Sequence, residues 1–81
     1  MRVRVHFYSY FKDQAGVAEV TENVPPGSTL DGLLAVLFAR FPKLAAMRKS
    51  MLTAVGVEYQ GIEYVLQEGD EVSLFPPVQG G

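Results

Sequence analysis

The sequence predicts an α+β fold: a mixed sheet of four or five strands, covered on one face by one main helix. Three observations carry that expectation. Runs near both ends of the chain alternate apolar and polar residues, the period of a strand with one buried face. A central run repeats its apolar residues at i, i+3, i+4 and i+7, the period of an amphipathic helix. Proline and glycine clusters separate these runs. One such helix has one sheet face to cover, which gives two layers.

The first strand occupies residues 1–8. Val3, Val5 and Phe7 fall on one face, and Arg2, Arg4, His6 and Tyr8 on the other. Residues 11–16 are too short for an independent helix and read as a turn or a single helical turn. Residues 17–24 form a second strand, with Ala18 and Val20 inward, joined to the first as a hairpin. Pro25-Pro26-Gly27 stops it. Ser28 or Thr29 then N-caps the helix, and Asp31 puts a favourable charge in its first turn. Leu30, Leu33, Leu34, Leu37, Phe38 and Phe41 make its wide apolar face, which Gly32 weakens slightly. Pro42 ends the helix and starts a short second one over residues 43–49.

Residues 51–58, with Leu52, Ala54, Val55 and Val57, read as a strand. Tyr59-Gln60-Gly61 turns the chain, and residues 62–66 form a short edge strand. Gln67-Glu68-Gly69-Asp70 is another turn. Residues 71–75 form the last strand, with Val72 and Leu74 inward. Pro76 and Pro77 stop it, because neither can donate to a ladder. This order fits the β-grasp arrangement, in which the first and last strands lie side by side in parallel at the centre.

At 81 residues the chain is one domain, read as a globular body over 1–75 and a flexible C-terminal tail over 76–81. A domain this small buries only about 60% of the surface its unfolded chain exposes. That leaves little room for a deep active site and favours a binding or carrier module. Hydrophobic residues are 48% and charged residues 20%, ordinary for a soluble domain. There is no cysteine and one histidine, His6. Disulfides, a thiolate nucleophile and a metal site are therefore not expected. A net charge of −2 lacks the positive excess of nucleic-acid binders. No apolar run has the length of a membrane span, and no basic leader precedes one. The sequence thus predicts no nucleic-acid or membrane partner, and a cytoplasmic location.

The tail is the most informative stretch. Gly80 and Gly81 carry no Cβ, so this end of the chain suits a narrow channel. Pro76 and Pro77 favour extended backbone before it. Residues 76–81 reach roughly 20 Å at about 3.3–3.6 Å each. Phe75 follows the inward Leu74 and so faces away from the helix, and Tyr8 does the same by the same count. With the first and last strands adjacent, they form an exposed aromatic patch beside the tail, joined by Tyr59. Such patches mark interfaces. Asp70 and Glu71 read as a solvated turn, Arg40, Lys43, Arg48 and Lys49 as a solvated helix end, and His6 as a surface residue. Glu58, Glu63, Glu68, Asp70 and Glu71 bias the second half acidic, which is expected to steer docking onto basic partner surfaces.

Gly69-Asp70-Glu71-Val72, with Phe75-Pro76-Pro77-Val78-Gln79-Gly80-Gly81 after it, resembles the small subunit of molybdopterin synthase. These are the MoaD-type sulfur carriers of the ubiquitin-like MoaD/ThiS family. The resemblance runs the whole chain, through the opening strand, the Pro-Gly-Ser-Thr-Leu helix start and the Arg40-Phe41-Pro42 helix exit. ThiS-type carriers of thiazole synthesis also end in diglycine but usually lack the double proline. The MoaD-type carriers often have an asparagine in the strand near Val55, where this chain has Gly56, and the Tyr59 to Leu66 segment is also less typical of them.

The resemblance implies a carrier with no catalytic residue and no bound cofactor of its own. A MoeB-type adenylating enzyme would use ATP to adenylate the Gly81 carboxylate, and sulfur would then replace the adenylate to leave a thiocarboxylate. Activation is needed because a carboxylate has no good leaving group; the mixed anhydride supplies one, and the hard chemistry belongs to partners. Gly80, Gln79, Val78, Pro77 and Pro76 would carry that group into the active site of a MoaE-type large subunit, in a heterotetramer. There the sulfur would pass to cyclic pyranopterin monophosphate, in molybdenum cofactor biosynthesis. Three other readings stay open: a sulfur carrier for thiazole, cysteine or tRNA thiolation, a ubiquitin-like modifier joined through Gly81, and a plain interaction domain.

Overall fold

A computed structural model describes residues 1–77 of the chain. Val78, Gln79, Gly80 and Gly81 lie outside the described residues. The elements run β1 (Arg2–Phe7), α1 (Tyr10–Ala15), β2 (Glu19–Asn23), α2 (Leu30–Arg40), α3 (Pro42–Ala45), a 3-10 turn (Arg48–Ser50), β3 (Leu52–Val55), β4 (Glu58–Tyr59) and β5 (Glu71–Phe75). The sheet has five strands in the order β2-β1-β5-β3-β4. β1 and β5 pair in parallel from Arg4↔Glu71 to Phe7↔Leu74. β2 and β3 flank them antiparallel. This is the β-grasp arrangement, with its first and last strands adjacent at the centre.

Alternation places the core as the sequence predicts. Val3, Val5, Val72 and Leu74 have no exposed surface, and Phe7 almost none. They pack under α2, whose Leu30, Leu33, Leu34 and Leu37 are buried. Phe38 and Phe41 are partly buried against the same cluster, with the Phe41 ring edge-on to Phe7 at 5.5 Å. α1 is the single helical turn expected, extended back to Tyr10, and it contributes the fully buried Phe11. Gly16 ends it in the left-handed region at φ 82°, returning its N–H to the Lys12 carbonyl.

The start of α2 is closed on every side. Thr29 is the N-cap, and its Oγ1 accepts from the Gly32 N–H at 3.2 Å. The Leu30 N–H donates to the Tyr64 carbonyl at 2.9 Å, and the Asp31 N–H to the Ile62 carbonyl at 3.0 Å. The orphan donors of the first turn are thus met by a segment far along the chain. This is why residues 62–66 are not the edge strand predicted for them. Apart from a bridge between Val65 and Thr29, they cross the helix start as irregular backbone. Their apolar anchor is Leu66, 2% exposed.

The edge strand is instead β4, so Tyr59 belongs to a strand rather than to the predicted turn. The predicted strand over 51–58 is cut at Val55. Val55↔Glu58 and Ala54↔Tyr59 are partners, so Gly56 and Val57 form a two-residue hairpin turn. Gly56 sits at φ 60°, as the first central position of a II′ turn requires. The helix expected over 43–49 is split into α3 and the 3-10 turn. Ala18, expected inward, is exposed, because it lies before β2 begins and beyond the reach of the helix layer. On β2 the inward positions are Val20 and Glu22. The Glu22 carboxylate is nearly buried and accepts from Arg40 Nη1 at 2.8 Å.

Candidate functional site

Among the described residues, no layer covers the second face of the sheet. On it, β1 presents Arg4, His6 and Tyr8, and β5 presents Glu71, Ser73 and Phe75, because each alternates with a core residue. The parallel register sets His6 beside Ser73. One step further along, the Tyr8 N–H donates to the Leu74 carbonyl at 3.1 Å, which brings Tyr8 beside Phe75. On the other side of β5, Phe75 is opposite Leu52, and Ser73 is opposite Ala54.

Tyr8, Phe75 and Tyr59 come together on this face. The Tyr8 ring lies 6.5 Å from Phe75, edge-on, and the Tyr59 ring lies 5.7 Å from it. Both are within the range of aromatic pairing. Tyr8 is 49% exposed and Tyr59 67%. Phe75 is half-buried between them. Pro76 and Pro77 leave the sheet directly after Phe75, so the tail starts at the edge of the aromatic cluster. The other predicted tail residues, Val78, Gln79, Gly80 and Gly81, lie outside the described residues.

The face is charged at its other end. His6 Nε2 lies 2.8 Å from Glu71 Oε1, and His6 Nδ1 3.8 Å from Glu19 Oε2. Arg4 Nε reaches the same Glu19 oxygen at 3.6 Å. The Glu71 carboxylate is thus within hydrogen-bond distance of the His6 ring, which stacks 6.4 Å from Tyr8. Asp70 closes its turn, accepting from the Gln67 N–H at 2.8 Å and from the Tyr64 hydroxyl at 3.0 Å. That hydrogen bond, with some burial and the Asp70 charge, holds the Tyr64 hydroxyl above its ordinary pKa. Of the basic residues at the helix end, Arg40 is engaged with Glu22 and Arg48 with Asp31.

Sequence reasoning missed Val57 and the Ala54–Ser73 pair. Val57 stands fully exposed at the tip of the β3–β4 turn, beside Tyr59. Ala54 is only 9% exposed, yet it is not part of the core cluster, because it lies on the open face. The signal was present. Gly followed by one residue between two strand-like runs is a II′ hairpin pattern, and an inward Val55 forces Ala54 outward.

Among the described residues no group of three or more His, Asp or Glu side chains is placed to hold a metal. No helix among them is long and apolar enough to cross a membrane. What the face offers is exposed aromatic surface at the root of a chain exit.

Comparison with known proteins places these features. The ThiS family profile matches residues 5–81. The molybdopterin synthase sulfur carrier subunit of Chlamydomonas reinhardtii is 34% identical over 84 aligned residues, covering 100% of both proteins. Among solved structures, SAMP1 from Haloferax volcanii superposes with a TM-score of 0.91 at 22% identity, covering 100% of each chain. A chain of the complex of subunits 1 and 2 of the molybdopterin-converting factor from Helicobacter pylori superposes with a TM-score of 0.74 at 24% identity, again over 100% of each. At those identities the two structures speak for the fold alone.

Proposed function

This chain belongs to the ThiS family, and from that premise we propose that it is the sulfur carrier subunit of a molybdopterin synthase, non-catalytic on its own and working in the cytoplasm. The observation that carries this reading is the match to a sulfur carrier subunit along the full length of both proteins. The open aromatic face supports it, because a carrier must dock while its tail is inside another protein.

In this reading an adenylating partner joins the Gly81 carboxylate to AMP. The bond between the α- and β-phosphates of ATP breaks, and pyrophosphate leaves. A sulfur nucleophile then attacks the acyl carbon, AMP departs, and a thiocarboxylate remains. A large subunit of the synthase takes up residues 76–81, and the sulfur passes to cyclic pyranopterin monophosphate. The chain's own residues bind and deliver: Tyr8, Phe75 and Tyr59 seat the body on the partner, Pro76 and Pro77 extend the backbone, and Gly80 and Gly81 admit it to a narrow channel. The partners supply the reaction chemistry.

The test is reconstitution with an adenylating enzyme, ATP and a sulfur donor. The C-terminal peptide, ending at Gly81, is expected to gain the mass difference between sulfur and oxygen. Methionine oxidation gives nearly the same gain, so the mass must be placed on that peptide by fragmentation. Removal of Gly81 is expected to abolish the gain and leave the fold intact. Sulfur transfer by the shortened chain would overturn the proposal.

A further inference from the structure

The two edges of the sheet differ. β4 is only two residues long. β2 runs five residues, Glu19–Asn23, paired one-to-one with β1 and without a bulge. The Phe7 N–H donates to the Ala18 carbonyl at 2.8 Å, and the Val24 N–H to the Met1 carbonyl at 2.9 Å. In an antiparallel ladder every second residue bonds to the same neighbour. Ala18, Val20, Glu22 and Val24 therefore turn their backbone groups to β1, and Glu19, Thr21 and Asn23 turn theirs to the edge. Among the described residues nothing meets the N–H and C=O groups of those three. An unpaired edge of this kind is a template for another strand.

This edge is complementary to itself. A second β2 can lie antiparallel against it with Thr21 opposite Thr21. Glu19 then falls opposite Asn23 of the second copy, and Val20 opposite its Glu22. Every edge-facing backbone group on both strands has a partner, threonine meets threonine, and no like charges face each other. Sliding the second strand two residues one way sets Glu22 opposite Glu22. Sliding it the other way carries Asn23 past the end of the strand. A slip of one residue brings the wrong faces together. Apolar surface borders the same edge. Val20 is partly buried, and Val36, 41% exposed, lies one helical turn before Arg40, which reaches Glu22 on β2.

We infer that two copies of the chain associate through β2, with Thr21 on a two-fold axis, joining their sheets into one. The axis is perpendicular to the sheet, so both open faces lie on one side. β1 separates the contact from β5, which leaves Phe75 and Tyr59 uncovered by it. The pairing stands apart from the carrier reading, which uses β5 and the tail.

Sedimentation of the full chain at rising concentration is expected to show a reversible dimer at or below millimolar chain concentration. A chain that stays single throughout would overturn the proposal. Thr21→Pro removes an N–H that serves the edge and not β1, a position where strands tolerate proline. The variant, with folding checked by thermal melting, is expected to dimerise at least tenfold more weakly. A folded variant that dimerises as before would overturn the assignment to this edge. Asn23 reports the register even where the proline variant unfolds. Asn23→Lys sets a cation opposite Glu19 of the second copy and is expected to tighten the dimer severalfold. Asn23→Glu sets like charges there and is expected to loosen it by a similar factor. No shift, or shifts in one direction, would overturn the register.

The unchanged dimer gives an independent answer. Val20 and Glu22 of different copies form a non-hydrogen-bonded pair, with Cα atoms about 4.5 Å apart. In a mixture of labelled and unlabelled chains, cross-relaxation between their Hα protons supports the proposal, and its absence overturns it. Dimerisation that shifts the signals of Tyr8 and Phe75 but not those of β2 would place the contact on the open face and overturn it as well.

Discussion

Along β1, Val3, Val5 and Phe7 are buried, while Arg4, His6 and Tyr8, one residue removed in each case, stand on the opposite face. β5 repeats the contrast, with Val72 and Leu74 under α2 and Glu71, Ser73 and Phe75 away from it. The covered face is filled by aliphatic residues and the phenylalanines Phe7, Phe38 and Phe41. The open face mixes rings, small residues and charges, and its aromatic surface is left in water. Exposed rings add nothing to the fold by that exposure. Their arrangement makes sense as surface reserved for a second protein. The two faces should therefore fail in different ways when altered.

The sharpest test is on the covered side. Leu37→Ala removes a fully buried side chain from α2 and is expected to cost about 2–5 kcal/mol, read from denaturant unfolding. Phe75→Ala on the open side is expected to weaken large-subunit binding by about 2 kcal/mol, the size of an interface hot spot. It should lower stability far less than Leu37→Ala does. If Phe75→Ala unfolded the chain and Leu37→Ala did not, the division between the faces would be wrong.

Glu22 is the exception that probes the covered face. Its carboxylate is nearly buried and held by Arg40, itself half-exposed. Arg40→Ala leaves it without that partner, and about 1–2 kcal/mol of stability is expected to go, since an unsatisfied buried group costs about 1–3 kcal/mol. A cost near zero would mean that water reaches Glu22 freely.

Ser9 tests the junction where β1 leaves both faces. It holds φ 57° and ψ −138° in a turn that the Phe11 N–H closes on the Tyr8 carbonyl at 3.2 Å. Glycine favours that conformation, so Ser9→Gly is expected to stabilise the chain by up to about 1 kcal/mol, strain relief slightly exceeding the added chain entropy. A drop in the melting temperature would show that Ser9 is not strained.

The smallest effect concerns Tyr64 at the margin of the covered layer. Its folded pKa lies above the unfolded value. The stability this gives is fully present below the ordinary tyrosine pKa of about 10 and is lost as pH rises through the folded value. Tyr64→Phe should flatten the alkaline arm of the stability profile, and an unchanged arm would remove Tyr64 from the account.

How far the sequence reveals this division depends on the length of each pattern. β1 and β5 alternate long enough to assign every inward residue, and α2 repeats its leucines for about two turns. From those elements Tyr8 and Phe75 could be placed on the open face. The strand that carries Tyr59 could not. β4 is two residues long and has no periodicity to detect, so the edge strand was expected at 62–66, where apolar residues serve the start of α2 instead. Gly56 reads as a strand residue until the pairing of Val55 with Glu58 makes it a turn. Only that turn carries Tyr59 back across Ala54. Ala18 follows the alternation of its neighbours but lies beyond the end of the strand, where period no longer decides burial.

β5 lies between β1 and β3, and without it the sheet falls into two separate hairpins. Among the described residues it is also the last element in chain order, and its partner β1 is the first. During synthesis the opening hairpin lacks its central neighbour until Val72 and Leu74 leave the ribosome. Ser73 and Phe75 arrive in the same few residues, and the diglycine follows at once. The sheet and its aromatic face are thus completed by the same strand. A chain cut short anywhere before residue 71 has neither the joined sheet nor the assembled aromatic face.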